Sequence, residues 1–276
     1  MTAGTVDADA AAWRRTIFED YASARRVARI PGYRVEVLED VTRHLPAGDD
    51  DESLLSFARF APARADARIE EELRRLRDSG LAAEWKVHDF DAPADLRERL
   101  EARGLAADHE EALMVLEVSA TDALLPGADD DVRIDVALGE SLDAIAAFQE
   151  ETWACKLPWL AGVLHGMAEG DDPSGTAFIA RHGARTVGCG WIDFHQGSRF
   201  AQLCGGAVHP EFRGRGLYGR LFARRLALAR QRGTPFIAVD AAPMSRPILE
   251  RKGFRFVCGT YPLRTRPFAT GAVTRA

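Results

Sequence analysis

The sequence predicts a mixed fold of the α/β (α+β) class, arranged as two domains. The chain has 276 residues, about twice the length of an average domain. Segments with strand-like and helix-like patterns alternate along both halves. A fifteen-residue segment of the first half also returns in the second half, between the same kinds of element. Together these observations favour two similar domains that arose by duplication.

The first half is predicted to begin with a helix over residues 9–29, because Trp13, Ile17, Tyr21 and Ala24 fall on one helical face. Two later helices are expected to end at Gly80 and Gly104. The other predicted elements of this half are strands at 33–38, 54–60, 85–90 and 112–118 and helices at 67–78 and 94–103.

The best linker candidate is the segment 121–131, which is rich in turn-forming and acidic residues. It divides the chain into predicted domains 1–125 and 126–276. Ser141 is a plausible N-cap for the first helix of the second half. The elements predicted there are strands at 132–138, 176–181, 185–195, 199–208, 236–240 and 256–265 and helices at 142–153, 160–168, from 217 to Gly233, and 245–252.

The repeated segment covers residues 91–105 and 240–254, which align without a gap. Chance similarity within an Ala, Arg, Glu and Leu-rich helix is the alternative explanation. Because each copy follows a short strand and precedes another, duplication is favoured. The identical pairs are Asp91 and Asp240, Ala92 and Ala241, Arg97 and Arg246, Leu100 and Leu249, Glu101 and Glu250, and Gly104 and Gly253.

A basic, glycine-rich loop separates a predicted strand, which ends at Val208, from a long amphipathic helix. Gly214 and Gly216 allow bare backbone to approach a bulky anion, and Arg213 and Arg215 add positive charge. The start of a helix presents free N–H groups and the positive end of its dipole. The pattern therefore indicates a phosphate-binding loop, with a simple surface turn as the alternative.

The loop matches two other phosphate-binding motifs less well. A P-loop requires Lys followed by Ser or Thr after its last glycine, and neither is present. The dinucleotide fingerprint G-x-G-x-x-G is satisfied by Gly214, Gly216 and Gly219, with Asp240 at a suitable distance. However, five residues separate the strand from the first glycine, and the preceding strands are typical of an antiparallel meander. These features disfavour a dinucleotide site.

The fuller pattern, V-x-P-x-x-R-G-x-G over residues 208–216, resembles the acetyl-coenzyme A loop of the GNAT superfamily of N-acetyltransferases. The resemblance implies two GNAT-like domains, each with a mixed, mostly antiparallel sheet flanked by helices. It also implies parallel central strands that splay apart in the C-terminal domain and hold the pantetheine arm. The residues implied to bind acetyl-CoA are Ala207, Val208, Arg213, Gly214, Arg215, Gly216, Leu217, Tyr218 and Ser245.

The strand before the loop contains Gly205 and Gly206. Two adjacent glycines inside a strand fit either a β-bulge with close approach of another group or a simple bend. Ser245 has an equally good alternative role as a helix N-cap. Residues 61–66, which precede the helix of the first half, contain no glycine, so we expect a degenerate N-terminal copy that does not bind the coenzyme.

The catalytic groups cannot be assigned from the resemblance. Many family members place a Tyr four residues before the closing Gly-Phe, but Leu249 stands there. The strand at 199–208 also lacks the carboxylate that many members supply. Asp193 and Tyr261 are therefore weak candidates for proton transfer. His195, His209 and Asp240 are further candidates.

The resemblance implies acetyl transfer from acetyl-CoA to a primary amine of a small molecule or peptide. A non-catalytic acyl-CoA sensor and a structural partner protein are the alternatives. The acceptor would contact the segment 148–167, although its aromatic residues are more often core. Apolar content of 46%, a net charge of −6 and a pI of about 5.7 favour neither nucleic acid nor membrane as a partner.

The four cysteines are scattered without metal-ligand spacing, so we expect free thiols and no metal. The N-terminus lacks the pattern of a signal peptide, and no apolar run is long enough to span a bilayer. We therefore expect a cytoplasmic protein that is a monomer or a homodimer.

Overall fold

The computed structural model describes residues 3–46, 52–120, 131–170 and 173–265, and the predicted linker at 121–131 lies outside them except for Asp131. The chain forms two compact units. The first unit contains Met1–Leu116 and Val239–Pro267, and the second contains Glu117–Ala238 and Phe268–Ala276. The domain bounds 1–125 and 126–276 stay a prediction.

Seven helices and twelve strands alternate along the described residues. The helices are α1 (Ala3–Val27), α2 (Ala65–Ser79), α3 (Leu96–Glu101), α4 (Glu140–Trp153), α5 (Pro158–Ala168), α6 (Leu217–Gln231) and α7 (Arg246–Glu250). The strands are β1 (Tyr33–Val37), β2 (Val41–Pro46), β3 (Ser53–Ala58), β4 (Ala83–His88), β5 (Ala106–Ala107), β6 (Glu111–Glu117), β7 (Val132–Val136), β8 (Gly175–His182), β9 (Arg185–Phe194), β10 (Phe200–Val208), β11 (Phe236–Ala241) and β12 (Arg255–Arg264). The mixed α/β class predicted from the sequence is confirmed.

The sheet of the first unit has the strand order β1-β2-β3-β4-β12-β6. Only β3 and β4 pair in parallel, and the other pairs are antiparallel. The last strand of the chain, β12, therefore lies between two strands of the N-terminal segment. Its ladder hydrogen bonds on both edges explain why the described residues from Val239 onward belong to the first unit.

Helices α2 and α3 cover one face of this sheet. Ile69 and Leu73 of α2 and Leu96 and Leu100 of α3 are buried against Trp85 of β4. Removal of this apolar surface from water stabilises the layer, because burial of each large side chain contributes about 1.5–3 kcal/mol.

The sheet of the second unit has the order β11-β10-β9-β8-β7. Strands β7 to β10 form an antiparallel meander, as the sequence predicts. Strand β11 pairs in parallel with β10 only over Phe236–Ala238 and Phe200–Gln202. Strand β10 then continues to Val208, beyond the end of this register. The parallel connection between the two strands runs through α6, the helix that follows the glycine-rich loop.

Strand β2 was missed in the sequence because three of its four buried side chains, those of Thr42, Arg43 and His44, are polar. Arg43 is only 4% exposed and forms a two-pronged ion pair with Glu72 of α2, at 2.5 and 2.6 Å. His44 contacts Ser56 of β3 at 2.9 Å. Because these groups satisfy one another across the structure, the strand does not show the apolar alternation on which strand prediction depends.

The two copies of the repeated segment have the same local structure. Leu100 of α3 and Leu249 of α7 are both fully buried. Gly104 and Gly253 follow these helices with φ values of 87° and 91°, where glycine avoids the strain of a side chain. The next amide then bonds back to Leu100 or Leu249, at 3.2 and 3.1 Å. A shared helix ending supports duplication over chance similarity.

Two sequence expectations about helix starts and membranes can be compared with the structure. Ser141 is not the N-cap of α4, because Gly139 occupies that position and the Ser141 hydroxyl accepts a bond from Arg181 at 3.0 Å. None of the helices in the described parts of the chain is long and apolar enough to cross a membrane. The cytoplasmic location stays a prediction.

Candidate functional site

The glycine-rich loop joins the end of β10 to the start of α6. A short 3-10 turn over Pro210–Phe212 ends the strand. Gly214 and Gly216 both have φ of 76°, in the left-handed region that favours glycine, and Gly216 is the N-cap of α6. The first amides of α6 have no partner within the helix. The loop thus places exposed backbone and several N–H donors at the positive end of a helix. This combination suits a diphosphate.

The basic and aromatic side chains of the loop brace its backbone. Arg213 donates through Nε to the carbonyl oxygen of Val208 at 3.2 Å. The Arg215 guanidinium lies 4.9 Å from the centre of the Phe212 ring. Leu217 is buried beneath the helix start, whereas Tyr218 is half-buried. These contacts fix the loop while leaving positive charge beside its amides.

Strand β10 contains a bulge at its two glycines. The register with β9 shifts between Cys204 and Ala207. Gly205 has φ of 56°, and a Cβ there would lie 1.7 Å from the Trp191 ring. Only glycine fits such a close approach. The bulge predicted as one of two alternatives is therefore confirmed, and the simple bend is excluded.

Gln149 of α4 is a polar contact of this bulge that sequence reasoning missed. Its amide nitrogen donates to the Gly205 carbonyl oxygen at 2.6 Å and lies 3.1 Å from the Cys189 sulfur. Its oxygen accepts a bond from the indole of Trp153 at 2.7 Å. A polar residue on the buried face of α4, next to Phe148, was the available signal.

Most of the aromatic segment expected to meet the acceptor is core. Phe148 and Met167 are buried, and Trp159 packs against the same cluster. His165 pairs with Asp143 at the surface, at 3.1 Å. Trp153 differs because half of its surface is exposed while its indole N–H is held by Gln149. Trp153 is therefore an aromatic residue of this segment that is held in place and open to solvent.

Arg225 is a second residue missed in the sequence. It occupies the apolar stripe of α6 between Leu221 and Ala229, and only 1% of its surface is exposed. Its Nε donates to the Leu221 carbonyl at 3.1 Å, and Nη1 reaches the Cys204 carbonyl at 3.5 Å. Its Nη2 is buried without a hydrogen-bond partner. A charged residue on an otherwise apolar stripe was the signal.

Asp193 of β9 lies beside Cys204 of β10. The Cys204 thiol is 3.7 Å from Oδ2, whereas Oδ1 is buried with no hydrogen-bond partner. Burial raises the pKa of this carboxyl to about 7, and the Cys204 contact opposes that rise. The carboxyl can therefore change protonation state at neutral pH, as a general base requires.

Tyr261, the other weak catalytic candidate, lies in the first unit on β12. Its hydroxyl donates to Asp89 at 3.2 Å, and the Arg97 guanidinium lies 4.5 Å from its ring centre. Burial and the Asp89 charge raise its pKa to about 12. Asp193 belongs to the second unit, so the two candidates are parts of different compact units.

Asp240 of β11 also belongs to the first unit, in a buried charged cluster. Its carboxylate lies 3.4 Å from Lys86 and 3.9 Å from His88. Burial raises its pKa, but the interactions with Lys86, His88 and Arg25 together outweigh burial and lower the pKa to about 2. An acid this strong is a poor proton acceptor at neutral pH.

The remaining candidates have local structural roles. His209 accepts from the Glu211 amide at 3.3 Å and contacts Arg185 at 2.7 Å, so it braces the 3-10 turn. The carbonyl of His195 closes the turn before Ser198, at 2.9 Å. Ser245 is the residue before α7 in the first unit, but its hydroxyl makes no capping bond. Its predicted contact with the coenzyme stays a prediction.

The parallel strands of the first unit are bridged where they separate. Strands β3 and β4 pair only over Ser53–Leu55 and Ala83–Trp85. Beyond them, the Asp91 carboxylate accepts bonds from the amides of Ala58 at 3.2 Å and His88 at 2.9 Å. The next residue also bonds Ala58 and Phe60 through its backbone, at 2.9 Å each. The residues between these strands are thus already hydrogen-bonded to the chain itself.

Replacement of Asp91 by alanine is expected to destabilise the protein by about 2–4 kcal/mol. Two buried amides would lose their acceptor, and each unpaired donor costs about 1–3 kcal/mol. Urea unfolding measures the change. Asp95→Ala is the control, because that exposed carboxylate pairs only with Arg99 and should change stability by less than about 1 kcal/mol. Equal stability of the two variants would contradict the bridging role.

The described residues contain no group of three or more His, Cys, Asp or Glu side chains that could hold a metal ion. None of the four cysteines, all of which lie in the described residues, is in a disulfide, and Cys189 and Cys258 are buried. Burial raises the pKa of the Cys189 thiol to about 12, so this thiol stays protonated at neutral pH. Leu249, which stands where many relatives have Tyr, is fully buried and offers no proton.

Comparison with solved structures places the chain among proteins of one fold. A GCN5-related N-acetyltransferase from Kribbella flavida is 15% identical, with a TM-score of 0.66 over 94% of this chain and 96% of that one. A tandem GNAT protein from the clavulanic acid biosynthesis pathway is 13% identical, with a TM-score of 0.57 over 92% of this chain and 88% of that one. A GCN5-related N-acetyltransferase from Sphaerobacter thermophilus is 14% identical, with a TM-score of 0.57 over 82% and 77% of the two chains.

Sequence comparison identifies a family within the chain. No curated protein matches it significantly. Residues 141–254 match the acetyltransferase (GNAT) family. That span includes the bulge of β10, the glycine-rich loop and α6. The antiparallel meander before the loop excludes the dinucleotide-binding alternative, since that fold requires an opening parallel sheet. Residues 141–254 therefore match the acetyltransferase (GNAT) family model, and most of the chain shares the fold of solved structures that include a tandem GNAT protein.

Proposed function

We propose that the protein is an N-acetyltransferase that moves the acetyl group of acetyl-CoA to a primary amine of a small molecule or peptide. The observation that carries the proposal is the loop before α6, with two left-handed glycines, open helix amides and two arginines. A Cβ on Gly214 would meet nothing within 4 Å, so the backbone there is open to a large ligand. These features fit a coenzyme diphosphate.

The proposed binding residues follow the order of the chain. Ala207 and Val208 would bind the pantetheine arm through their backbone, in the part of β10 that continues beyond its parallel register with β11. Gly214 to Tyr218 would offer amides to the diphosphate, with Arg213 and Arg215 adding charge. Ser245 completes the proposed set. The coenzyme supplies an activated acetyl thioester, and the chain supplies position and charge.

Asp193 is our proposed general base. The amine nitrogen bonds to the acetyl carbon, the carbon–sulfur bond breaks, and its electron pair leaves with sulfur. Asp193 accepts the proton that the amine loses, and a solvent proton neutralises the thiolate. A carboxyl with a pKa of about 7 is half ionised at neutral pH, which suits this role. Its position beside Cys204 sets the proton acceptor next to the bulged strand.

Acetyl-CoA is expected to raise the melting temperature of the full chain by several degrees, because a ligand that binds only the native state stabilises it. At a concentration of about 100 times Kd the gain is about 2.7 kcal/mol. Differential scanning fluorimetry measures the shift, with NAD as the control ligand. No shift with acetyl-CoA, or an equal shift with NAD, would contradict the proposal.

Release of free thiol in the presence of a panel of primary amines distinguishes transfer from mere binding. The missing tyrosine favours a non-catalytic acyl-CoA sensor as the second candidate, since Leu249 provides no acid. A sensor would show the melting shift without amine-dependent thiol release. A structural partner protein would show neither.

A further inference from the structure

Arg225 is a buried cation without a counterion. No carboxylate pairs with it among the described residues, and its three nitrogens make two bonds to backbone carbonyls and leave Nη2 unpartnered. A buried unpaired charge is costly, so its presence on the apolar stripe of α6 requires an explanation. Because the charge does not help the core, it points to a role other than stability.

The surroundings of Arg225 make room for the guanidinium at the bulge of β10. A Cβ on Gly190 would lie 2.8 Å from Nη1, and one on Gly206 would lie 3.6 Å from Nη1 and Nη2. The Tyr218 ring centre lies 6.0 Å from the guanidinium carbon. Two glycines thus permit the charge to reach the bulge, and the other side chain beside it belongs to the first turn of the coenzyme helix.

The titratable side chains beside Arg225 are those of two cysteines and a tyrosine. Cys189 stays protonated because burial raises the pKa of its thiol to about 12. Tyr218 and Cys204 also interact with the guanidinium. Burial lowers the pKa of Arg225, but a guanidinium remains charged at neutral pH. The bulge therefore experiences a positive potential from a guanidinium that pairs with no carboxylate among the described residues.

We propose that Arg225 is a positioning residue for acyl transfer, which acts through the bulge of β10 and stabilises the negative charge on the departing coenzyme sulfur. The proposal rests on the proposed function. When the carbon–sulfur bond breaks, its electron pair stays on sulfur, and a fixed positive charge in a region of low dielectric lowers the free energy of that thiolate. Arg225 thereby offsets the lack of a proton donor at Leu249.

The test uses the full chain with free coenzyme A, whose thiolate absorbs in the ultraviolet. In the wild type we expect the pKa of the bound thiol to lie at least about one unit below that of free coenzyme A. In Arg225→Met we expect the pKa of the bound thiol to rise by about one unit, toward the value of free coenzyme A. Arg224→Met is the matched control, because that neighbouring side chain is exposed on the same helix. It should leave the thiol pKa unchanged.

Turnover and stability separate this role from a structural one. Arg225→Met is expected to lower kcat by about 10- to 100-fold, with KM for acetyl-CoA within about threefold. Its melting temperature should equal or exceed that of the wild type, since an apolar side chain replaces a buried charge. Arg225→Lys retains the charge and should give an intermediate thiol pKa, which keeps the test decisive if the Met variant folds poorly.

An unchanged bound-thiol pKa in both Arg225 variants would overturn the inference while leaving the proposed function intact. An unchanged kcat in Arg225→Met would also overturn the inference. A wild-type chain that does not bind coenzyme A at all would overturn the proposed function, and this inference with it.

Discussion

The double substitution of Arg213 by alanine and Gly216 by aspartate is expected to weaken acetyl-CoA binding by at least about 100-fold, or about 2.7 kcal/mol. Gly216 has φ of 76° and sits at the N-cap of α6. A carboxylate there would repel the coenzyme diphosphate and occupy the space in front of the helix amides. Loss of Arg213 removes the brace to Val208 and one positive charge. Isothermal titration calorimetry measures the affinity.

Gly197→Asp is the matched control for this substitution. Gly197 has φ of 75° in the turn between β9 and β10, and a Cβ there would meet nothing within 4 Å. The control introduces the same charge and similar backbone strain at the opposite end of β10 from the loop. It should bind acetyl-CoA normally. If the double variant keeps wild-type affinity while remaining folded, the assignment of the loop is wrong.

Asp193→Asn is expected to lower kcat by about 100-fold or more, which is a usual effect of removing a general base. A base works only when deprotonated, so kcat of the wild type should rise with pH through about 7 and then level off. The variant should lose that rise. Fixed-time assays of thiol release at saturating amine and acetyl-CoA, from about pH 5.5 to about pH 8.5, measure both pH–rate profiles.

The same carboxyl links stability to pH. Its folded-state pKa is raised, so the protonated form favours folding below the ordinary pKa of about 3.9, and that advantage is lost as pH rises through about 7. Asp193→Asn should remove this part of the pH dependence of unfolding. Asp135→Asn, at an exposed ion pair with Arg133, is the control and should change neither profile. Identical pH–rate profiles in wild type and Asp193→Asn would exclude Asp193 as the base.

The sequence by itself determined the parts of the protein that depend on local patterns. Helical spacing and glycine endings predicted α2, α6 and the repeated α3 and α7 segments, because these features involve residues a few positions apart. The order of strand, proline, arginine and glycine around Val208 predicted the loop. The two adjacent glycines of β10 predicted a bulge as one of two alternatives.

The tertiary structure decided whatever depends on residues distant in the sequence. Strand β2 is a strand because Arg43 meets Glu72 across the first unit. Strand β12 pairs with β4 and β6. This pairing depends on the strand edges that are open to hydrogen bonding in the folded sheet and cannot be read from the residues of β12 alone. The Trp191 ring packs so closely on Gly205 that only glycine fits at the bulge, and Gln149 of α4 donates a hydrogen bond to the Gly205 carbonyl. A sequence pattern records which side chains are polar, but only folding decides which buried charges meet a partner, as Arg43 does, and which do not, as with Arg225.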